Sequence, residues 1–192
     1  MRFTNDRINF LEYISEYIPK GSVAAEIGVF KGEFSDKILK QINPKKLYLI
    51  DPWELGYDKN GETATYKSTN GEKLTAYSNE ENSQEVKEKF HNEIIKGQVS
   101  IQVGYSYDVV EEFPDNYFDF IYIDGCHLYG CVKSDLNMYW PKLKKGGLMC
   151  GHDYHDNYPG VIKAVEEFKP MHGLKLLAIS NHTDWALTPK NT

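Results

Sequence analysis

The sequence lacks a long hydrophobic run, a surplus of basic residues and a leader-like start. Nowhere do about 18 apolar residues follow one another, so no membrane-spanning helix is predicted. Lysine and arginine number 22 against 28 aspartates and glutamates, which gives a formal net charge of −6. Nucleic-acid binders usually carry a basic surplus, so nucleic acid and membranes are disfavoured as partners. Residues 1–13 lack the apolar stretch of a signal peptide, and a cytoplasmic location is expected.

Cysteine is scarce as well. The three cysteines are Cys126, Cys131 and Cys150, an odd number that suggests free thiols in a reducing compartment. Their spacing is not that of a zinc finger, and a structural zinc site is disfavoured. The remaining composition, 41% hydrophobic and 26% charged over 192 residues, is typical of one globular domain spanning residues 1–192.

Buried-strand and amphipathic-helix patterns alternate along the chain. Short apolar runs predict seven strands, at 22–29, 47–51, 99–104, 118–125, 146–151, 174–180 and 183–189. Helical spacing of apolar residues predicts helices at 3–18, 33–42, 84–95, 108–113, 129–143 and 161–168. This order predicts an α/β fold, a doubly wound, mostly parallel seven-stranded sheet with helices on both faces. The last two strands are separated by only a few residues, so we expect an antiparallel hairpin at the sheet edge.

One long segment breaks the alternation. Residues 54–85 are polar and contain Leu55 and Leu74 as their only aliphatic residues larger than alanine. Structureless loops of this length are usually lids or binding loops. We therefore expect the opening helix, residues 1–20, and the insertion at 54–95 to cover an acceptor site. Whether the chain forms a homo-oligomer is left open.

Glycines and an acid mark the ends of the first two strands. Gly28 and Gly32 follow Glu26 at the turn into the next helix, and a plain tight turn is the alternative interpretation. Asp51 ends the second strand, where a carboxylate can accept hydrogen bonds from ribose hydroxyls. The spacing is not the G-x-G-x-x-G of nicotinamide enzymes. After the third strand, Ser106 could border an adenine, or Ser106 or Asp108 could cap the helix at 108–113.

Acids and histidines follow the fourth and fifth predicted strands. Asp124 and His127 come after one, and His152 and Asp153 come after the other. Carboxyl ends of neighbouring parallel strands meet at one edge, so these side chains should converge. Asp124, His152 and Asp153 could hold a hard divalent cation such as Mg²⁺, and His127 could act as a general base. Helix capping and loop hydrogen bonds are the alternative roles.

Together these segments resemble the class I S-adenosylmethionine-dependent methyltransferases, most closely the macrocin- and mycinamicin-type sugar O-methyltransferases. The resemblance lies in residues 118–154, FDFIYIDGCHLYGCVKSDLNMYWPKLKKGGLMCGHDY, with EIGVFKG as the donor-binding motif and LIDPW as the ribose motif. It implies S-adenosyl-L-methionine as cofactor, a small-molecule or sugar hydroxyl as acceptor, and catalytic roles for His127 and Asp124. The implied donor-binding residues are Glu26, Gly28, Phe30, Gly32, Asp51, Trp53, Gly104, Tyr105, Ser106, Asp124 and Gly125.

Two positions depart from the family pattern. His152 and Cys126 stand where metal-dependent members usually carry an acid. Alternative functions are a non-catalytic nucleoside-binding protein and a nicotinamide-dependent oxidoreductase. The latter is disfavoured because the three-glycine fingerprint is missing.

Overall fold

The computed structural model describes residues 1–53, 76–181 and 183–190. The strands are β1 (Arg2–Thr4), β2 (Val23–Ile27), β3 (Lys46–Asp51), β4 (Val99–Val103), β5 (Phe118–Ile123), β6 (Leu143–Gly151), β7 (Leu176–Ser180) and β8 (Trp185–Leu187). The helices are α1 (Arg7–Ser15), α2 (Glu33–Gln41), α3 (Ala76–Lys89), α4 (His91–Ile95), α5 (Ser106–Val109), α6 (Tyr129–Tyr139) and α7 (Pro159–Met171), and a 3-10 turn at Val110–Glu112 follows α5.

The strands form a single sheet in the order β1-β7-β8-β6-β5-β2-β3-β4. All neighbours are parallel except β8, which runs antiparallel to both β6 and β7. The predicted mostly parallel α/β sheet and its C-terminal antiparallel pair are therefore confirmed. The predicted number of strands is wrong, because the sheet has 8 strands and not seven.

The extra strand also corrects the position of the hairpin. Strand β1 pairs in parallel with β7, Arg2 opposite Ala178 and Thr4 opposite Ser180. The β7–β8 hairpin therefore lies inside the sheet, and β1 forms the edge. The sequence predicted a helix from residue 3, yet α1 begins only at Arg7. Asp6 is its N-cap residue, because the Asp6 side chain accepts a hydrogen bond from the Asn9 backbone N–H.

Helices cover both faces of the sheet, as a doubly wound fold requires. Residues of α5, α6 and α7 share one core with the strand side chains of Ala25 and Ile121. Residues of α1, α2 and α3 share the other with Ala24 and Phe120. Consecutive strand residues thus point to opposite cores, and the fully buried strands read as unbroken apolar runs.

The described part of the insertion, residues 76–95, is more helical than the sequence indicated. Helix α3 already begins at Ala76 and a short α4 follows it, where one helix at 84–95 had been predicted. Val86 and Phe90 are buried in the core, so this part of the segment packs firmly against the rest of the fold. The predicted acceptor lid depends on residues 54–75, which lie outside the described residues, and stays a prediction. No helix in the described parts of the chain is long and apolar enough to cross a membrane.

Candidate active site

Strand register brings the predicted site residues to one edge of the sheet. Beyond the last paired residues the ladder continues: the Asp124 N–H donates to the Ile27 carbonyl at 2.7 Å, and the His152 N–H donates to the Ile123 carbonyl at 3.0 Å. The carboxyl ends of β2, β3, β5 and β6 therefore lie side by side. This edge carries Gly28, Asp51, Asp124 and His152.

The turn after β2 requires glycine. Gly28 has a φ of +86°, and a Cβ there would lie 2.2 Å from the carbonyl oxygen of Asp124. The turn thus packs directly on the backbone that carries the Asp124 carboxylate. At its far end Gly32, also in the left-handed region, is the N-cap residue of α2, and a Cβ there would lie 2.7 Å from the ring of Phe90. The missing side chains let this turn pack closely against the Asp124 backbone and the Phe90 ring.

Asp51 organises the same turn. Its Oδ2 accepts from the N–H groups of Val29 at 2.8 Å and Phe30 at 3.0 Å, and its Oδ1 accepts from the N–H of Trp53 at 2.7 Å. The Trp53 indole donates in turn to the Phe30 carbonyl at 2.8 Å. A carboxylate offers about four acceptor positions, so one remains for a ligand hydroxyl. The predicted ribose role and the observed structural role are compatible.

The segment after β4 approaches from the neighbouring strand. The Gly104 N–H donates to the Asp51 carbonyl at 3.1 Å, which places this segment beside the turn. Ser106 does not cap the helix, as one alternative had it, and neither does Asp108: α5 begins at Ser106 with Tyr105 as its N-cap residue. The Ser106 hydroxyl donates instead to Asp135 at 2.5 Å. Burial raises the pKa of Asp135 to about 6, even though the Ser106 hydrogen bond lowers it.

Glu26, which was predicted to bind the donor, is buried in the structure. It is 1% exposed on β2 and accepts a hydrogen bond from the Ser35 hydroxyl on α2. Burial raises the pKa of Glu26 to about 8 against the opposing effect of Ser35. The side chain is therefore largely protonated at neutral pH.

This shift predicts a pH-dependent stability. The pKa of Glu26 in the folded state is about 8, above the ordinary value of 4.5. Between these two pKa values the unfolded state releases the Glu26 proton while the folded state retains it. The folded state therefore loses stability relative to the unfolded state as pH rises through this range. Glu26→Gln should therefore gain stability relative to wild type, by up to about 4 kcal/mol, between about pH 5 and about pH 9. Urea unfolding at both pH values measures this. Glu12→Gln, on the exposed side of α1, is the control, and parallel pH profiles for wild type and Glu26→Gln would contradict the prediction.

Two acids and two histidines converge beside the turn. The His152 Nδ1 lies 3.5 Å from Asp124 Oδ1 and 3.2 Å from Asp153 Oδ1, and the His127 Nε2 lies 2.7 Å from Asp153 Oδ2. One ligand atom from each of Asp124, His152 and Asp153 lies within 4.8 Å of the others, an arrangement that a small adjustment fits to one cation. Asp124, His127, His152 and Asp153 are called the acid–imidazole cluster below.

The cluster is electrostatically coupled. Burial lowers the pKa of His152, but the hydrogen bonds of Asp124 and Asp153 outweigh it and raise that pKa to about 10. Burial would raise the pKa of Asp153, yet the hydrogen bonds to His127 and His152 hold it well below its usual range. The backbone of Asp153 is left-handed, with a φ of +60°, a conformation that aspartate tolerates better than most residues.

Helix α7 holds the His127 loop in place. A Cβ on Gly160, at the start of α7, would lie 2.7 Å from the His127 carbonyl oxygen, so helix and loop backbones touch. The Tyr158 ring lies 4.6 Å from the His127 ring, centroid to centroid. The His127 side chain is nevertheless 30% exposed and can be reached by an acceptor.

Sequence reasoning missed three residues of this edge: Arg7, Tyr122 and Asp184. The Arg7 guanidinium donates to the Tyr122 hydroxyl at 2.7 Å, to Asp184 at 2.9 Å and to Asp124 at 3.2 Å. No local spacing marks them, because they come from α1, β5 and the β7–β8 turn.

Comparison with known proteins identifies the family of this chain. Residues 25–154 match a family model described as a methyltransferase domain. The chain belongs to the methyltransferase domain family. Membership implies S-adenosylmethionine as methyl donor, and it favours a methyltransferase over the nicotinamide oxidoreductase considered from sequence.

Three proteins that are similar to this methyltransferase domain share little sequence with it. An uncharacterized protein of Acanthamoeba polyphaga mimivirus is 27% identical over 164 residues, 83% of this chain, and the match spans only 65% of that relative's length. The O-methyltransferase NovP is similar in fold, with a TM-score of 0.67 at 20% identity over 97% of this chain and 80% of its own. An rRNA methylase from Streptococcus thermophilus has a TM-score of 0.63 at 9% identity over 98% of each chain. The fold alone therefore does not distinguish between acceptors.

Proposed function

We propose that this chain transfers the methyl group of S-adenosylmethionine to a hydroxyl oxygen of a small molecule or sugar, with His127 as general base. The observation that supports this most is the His127–Asp153 contact of 2.7 Å at the edge that also carries Gly28 and Asp51. A carboxylate-held imidazole at the same sheet edge as this turn supports a base acting next to a bound nucleoside donor.

The donor-binding part is built from the turn and its neighbours. When bound, S-adenosylmethionine supplies a methyl carbon made electrophilic by the sulfonium charge. Gly28 lets the turn pack against the backbone that carries Asp124, and Asp51 retains one acceptor position for a ribose hydroxyl. Ser106, held by Asp135, borders the adenine side. These residues orient the donor and exclude water, which is what in-line transfer demands of the protein.

His127 is arranged to take a proton. If Nε2 carries hydrogen and donates to Asp153, Nδ1 is left unprotonated to accept the proton of the acceptor hydroxyl. A carboxylate that fixes one tautomer and stabilises the charged imidazole is the arrangement of other acid–histidine pairs. General-base catalysis of this kind typically contributes about 10²- to 10⁴-fold.

A divalent cation is part of the proposal. Asp124, His152 and Asp153 would hold it, and a bound cation lowers the pKa of an acceptor hydroxyl that it contacts. Because one ligand is an imidazole, the set suits Mn²⁺ or Fe²⁺ at least as well as Mg²⁺.

The acceptor class rests on charge. A net charge of −6 disfavours an RNA acceptor, because phosphate contacts dominate nucleic-acid affinity. The acceptor side of the cluster carries the exposed Leu128 and the partly exposed Tyr158, which suit a small molecule with an apolar face. A soluble cytoplasmic enzyme without nucleic-acid or membrane partners remains our proposal.

The decisive test starts with the donor. Calorimetry with S-adenosylhomocysteine should show binding, and methyl-tritiated S-adenosylmethionine should label a vicinal diol or a nucleotide sugar from a panel. Salt-sensitive labelling of bulk RNA would move the acceptor to nucleic acid. Binding without transfer to any acceptor would favour a non-catalytic nucleoside-binding protein, and failure to bind would refute the proposal.

The cation has a test of its own. Treatment with EDTA should lower transfer at least about tenfold, and Mn²⁺ or Mg²⁺ should restore it. Asp153→Asn should prevent restoration, whereas Asp156→Asn, at an exposed position three residues later, should not. Undiminished transfer in EDTA would show that the cluster works without a cation.

A further inference from the structure

Arg7 is a cation beside the cluster, and most of its side chain is enclosed by protein. The chain has 20 lysines but only two arginines, Arg2 and Arg7, and Arg2 is exposed. Arg7 is the first residue of α1, its side chain is 22% exposed, and its guanidinium packs 4.2 Å from the centre of the Phe34 ring. A guanidinium packed on an aromatic face and bonded along its edge has little freedom to move.

The hydrogen bonds of Arg7 join the cluster to a buried frame. Its Nη2 donates both to the Tyr122 hydroxyl and to Asp124 Oδ2, and its Nε donates to Asp184 Oδ1. Asp184 is fully buried, and it also accepts from Ser180 and Tyr122. The Asp184 carboxylate in this frame thus has several hydrogen-bond donors, and a shift of the frame would leave a buried charge without its partners.

Asp124 is held between a guanidinium and an imidazole. Its Oδ2 faces Arg7 at 3.2 Å, and its Oδ1 faces the His152 Nδ1 at 3.5 Å. Contacts from opposite sides restrict rotation of the carboxylate and aim Oδ1 at the centre of the acid–imidazole cluster. Without Arg7, nothing among the described contacts would hold Oδ2.

We infer that Arg7 is a positioning residue of the proposed methyl transfer: it fixes the orientation of Asp124 from the buried frame of Tyr122 and Asp184. This inference rests on the proposed function. Arg7 acts through Asp124 and not on the reacting atoms. A lysine would keep the charge, but its single ammonium cannot reproduce the planar fork that reaches three acceptors at once.

The first test is kinetic. Arg7→Lys should lower kcat by about 10- to 100-fold, as expected for a small misplacement of a site group, and should change the affinity for S-adenosylhomocysteine by less than about threefold. Arg2→Lys is the matched control and should leave both unchanged. An equal loss of kcat and donor affinity, or no loss of kcat, would overturn the inference.

The second test needs no turnover and tolerates a fragile variant. Arg7→Met leaves the buried Asp184 charge without its partner, so Arg7→Met/Asp184→Asn removes both charges together. Crystal structures of wild type and this double variant should show Asp124 turned away from His152 in the variant only. An unmoved Asp124 would overturn the inference, even if wild type transferred no methyl group. A moved Asp124 with an inactive wild type would retain the positioning role and refute the proposed function alone.

Discussion

Replacing Gly28 with alanine is expected to abolish donor binding and to destabilise the fold. The new Cβ would lie 2.2 Å from the oxygen, 2.4 Å from the carbon of the Asp124 carbonyl and 2.6 Å from the Gly125 Cα. All three are backbone atoms, so no side-chain rotation relieves the contact. The left-handed backbone conformation adds a further cost for alanine, so the free energy of unfolding should fall by about 4 kcal/mol in total.

Gly21→Ala is the matched control. Gly21 has a similar φ of +71°, but nothing lies within 4 Å of its Cβ position. It should lose only about 1 kcal/mol, the cost of the left-handed conformation alone. Urea unfolding of both variants and calorimetry with S-adenosylhomocysteine give the comparison. Equal stability of the two variants would show that the turn can move away from Asp124.

Replacing His127 with asparagine should lower kcat by about 10²- to 10⁴-fold while leaving donor affinity unchanged. Asparagine keeps a polar side chain in the exposed loop, but it cannot accept the proton. Steady-state kinetics with the labelled donor and calorimetry measure the two quantities separately.

The control for this variant is His91→Asn at an exposed position on α4. It should match wild type in both measurements. Parallel losses of kcat and donor affinity in His127→Asn would indicate that His127 supports the loop and is not the base.

The sequence was informative where structure is local. Buried strands that alternate with amphipathic helices predicted the doubly wound sheet, because each period of apolar residues fixes which face is buried. Parallel strands end at a common edge, so the residues that follow them could be placed together without coordinates. Gly28, Asp51, Asp124 and His152 were located in this way.

Short elements were harder to predict. Strand β1 has three residues, only Thr4 of them buried, and its pairing partner β7 lies at the other end of the chain. No periodicity can arise over so short a stretch. The position of β8 between β6 and β7 likewise depends on which strand edges remain free.

By itself, the sequence determined the fold class and which chemical groups stand at the strand ends, since both follow from local patterns and a common strand direction. Only the tertiary structure decided how those groups are oriented. Arg7 and Asp184 are 177 residues apart, and Arg7 and Tyr122 are 115 apart. Their ion pair and hydrogen bonds form because the sheet brings α1 and the β7–β8 turn to one edge. Their energy comes from burial that no single segment has alone.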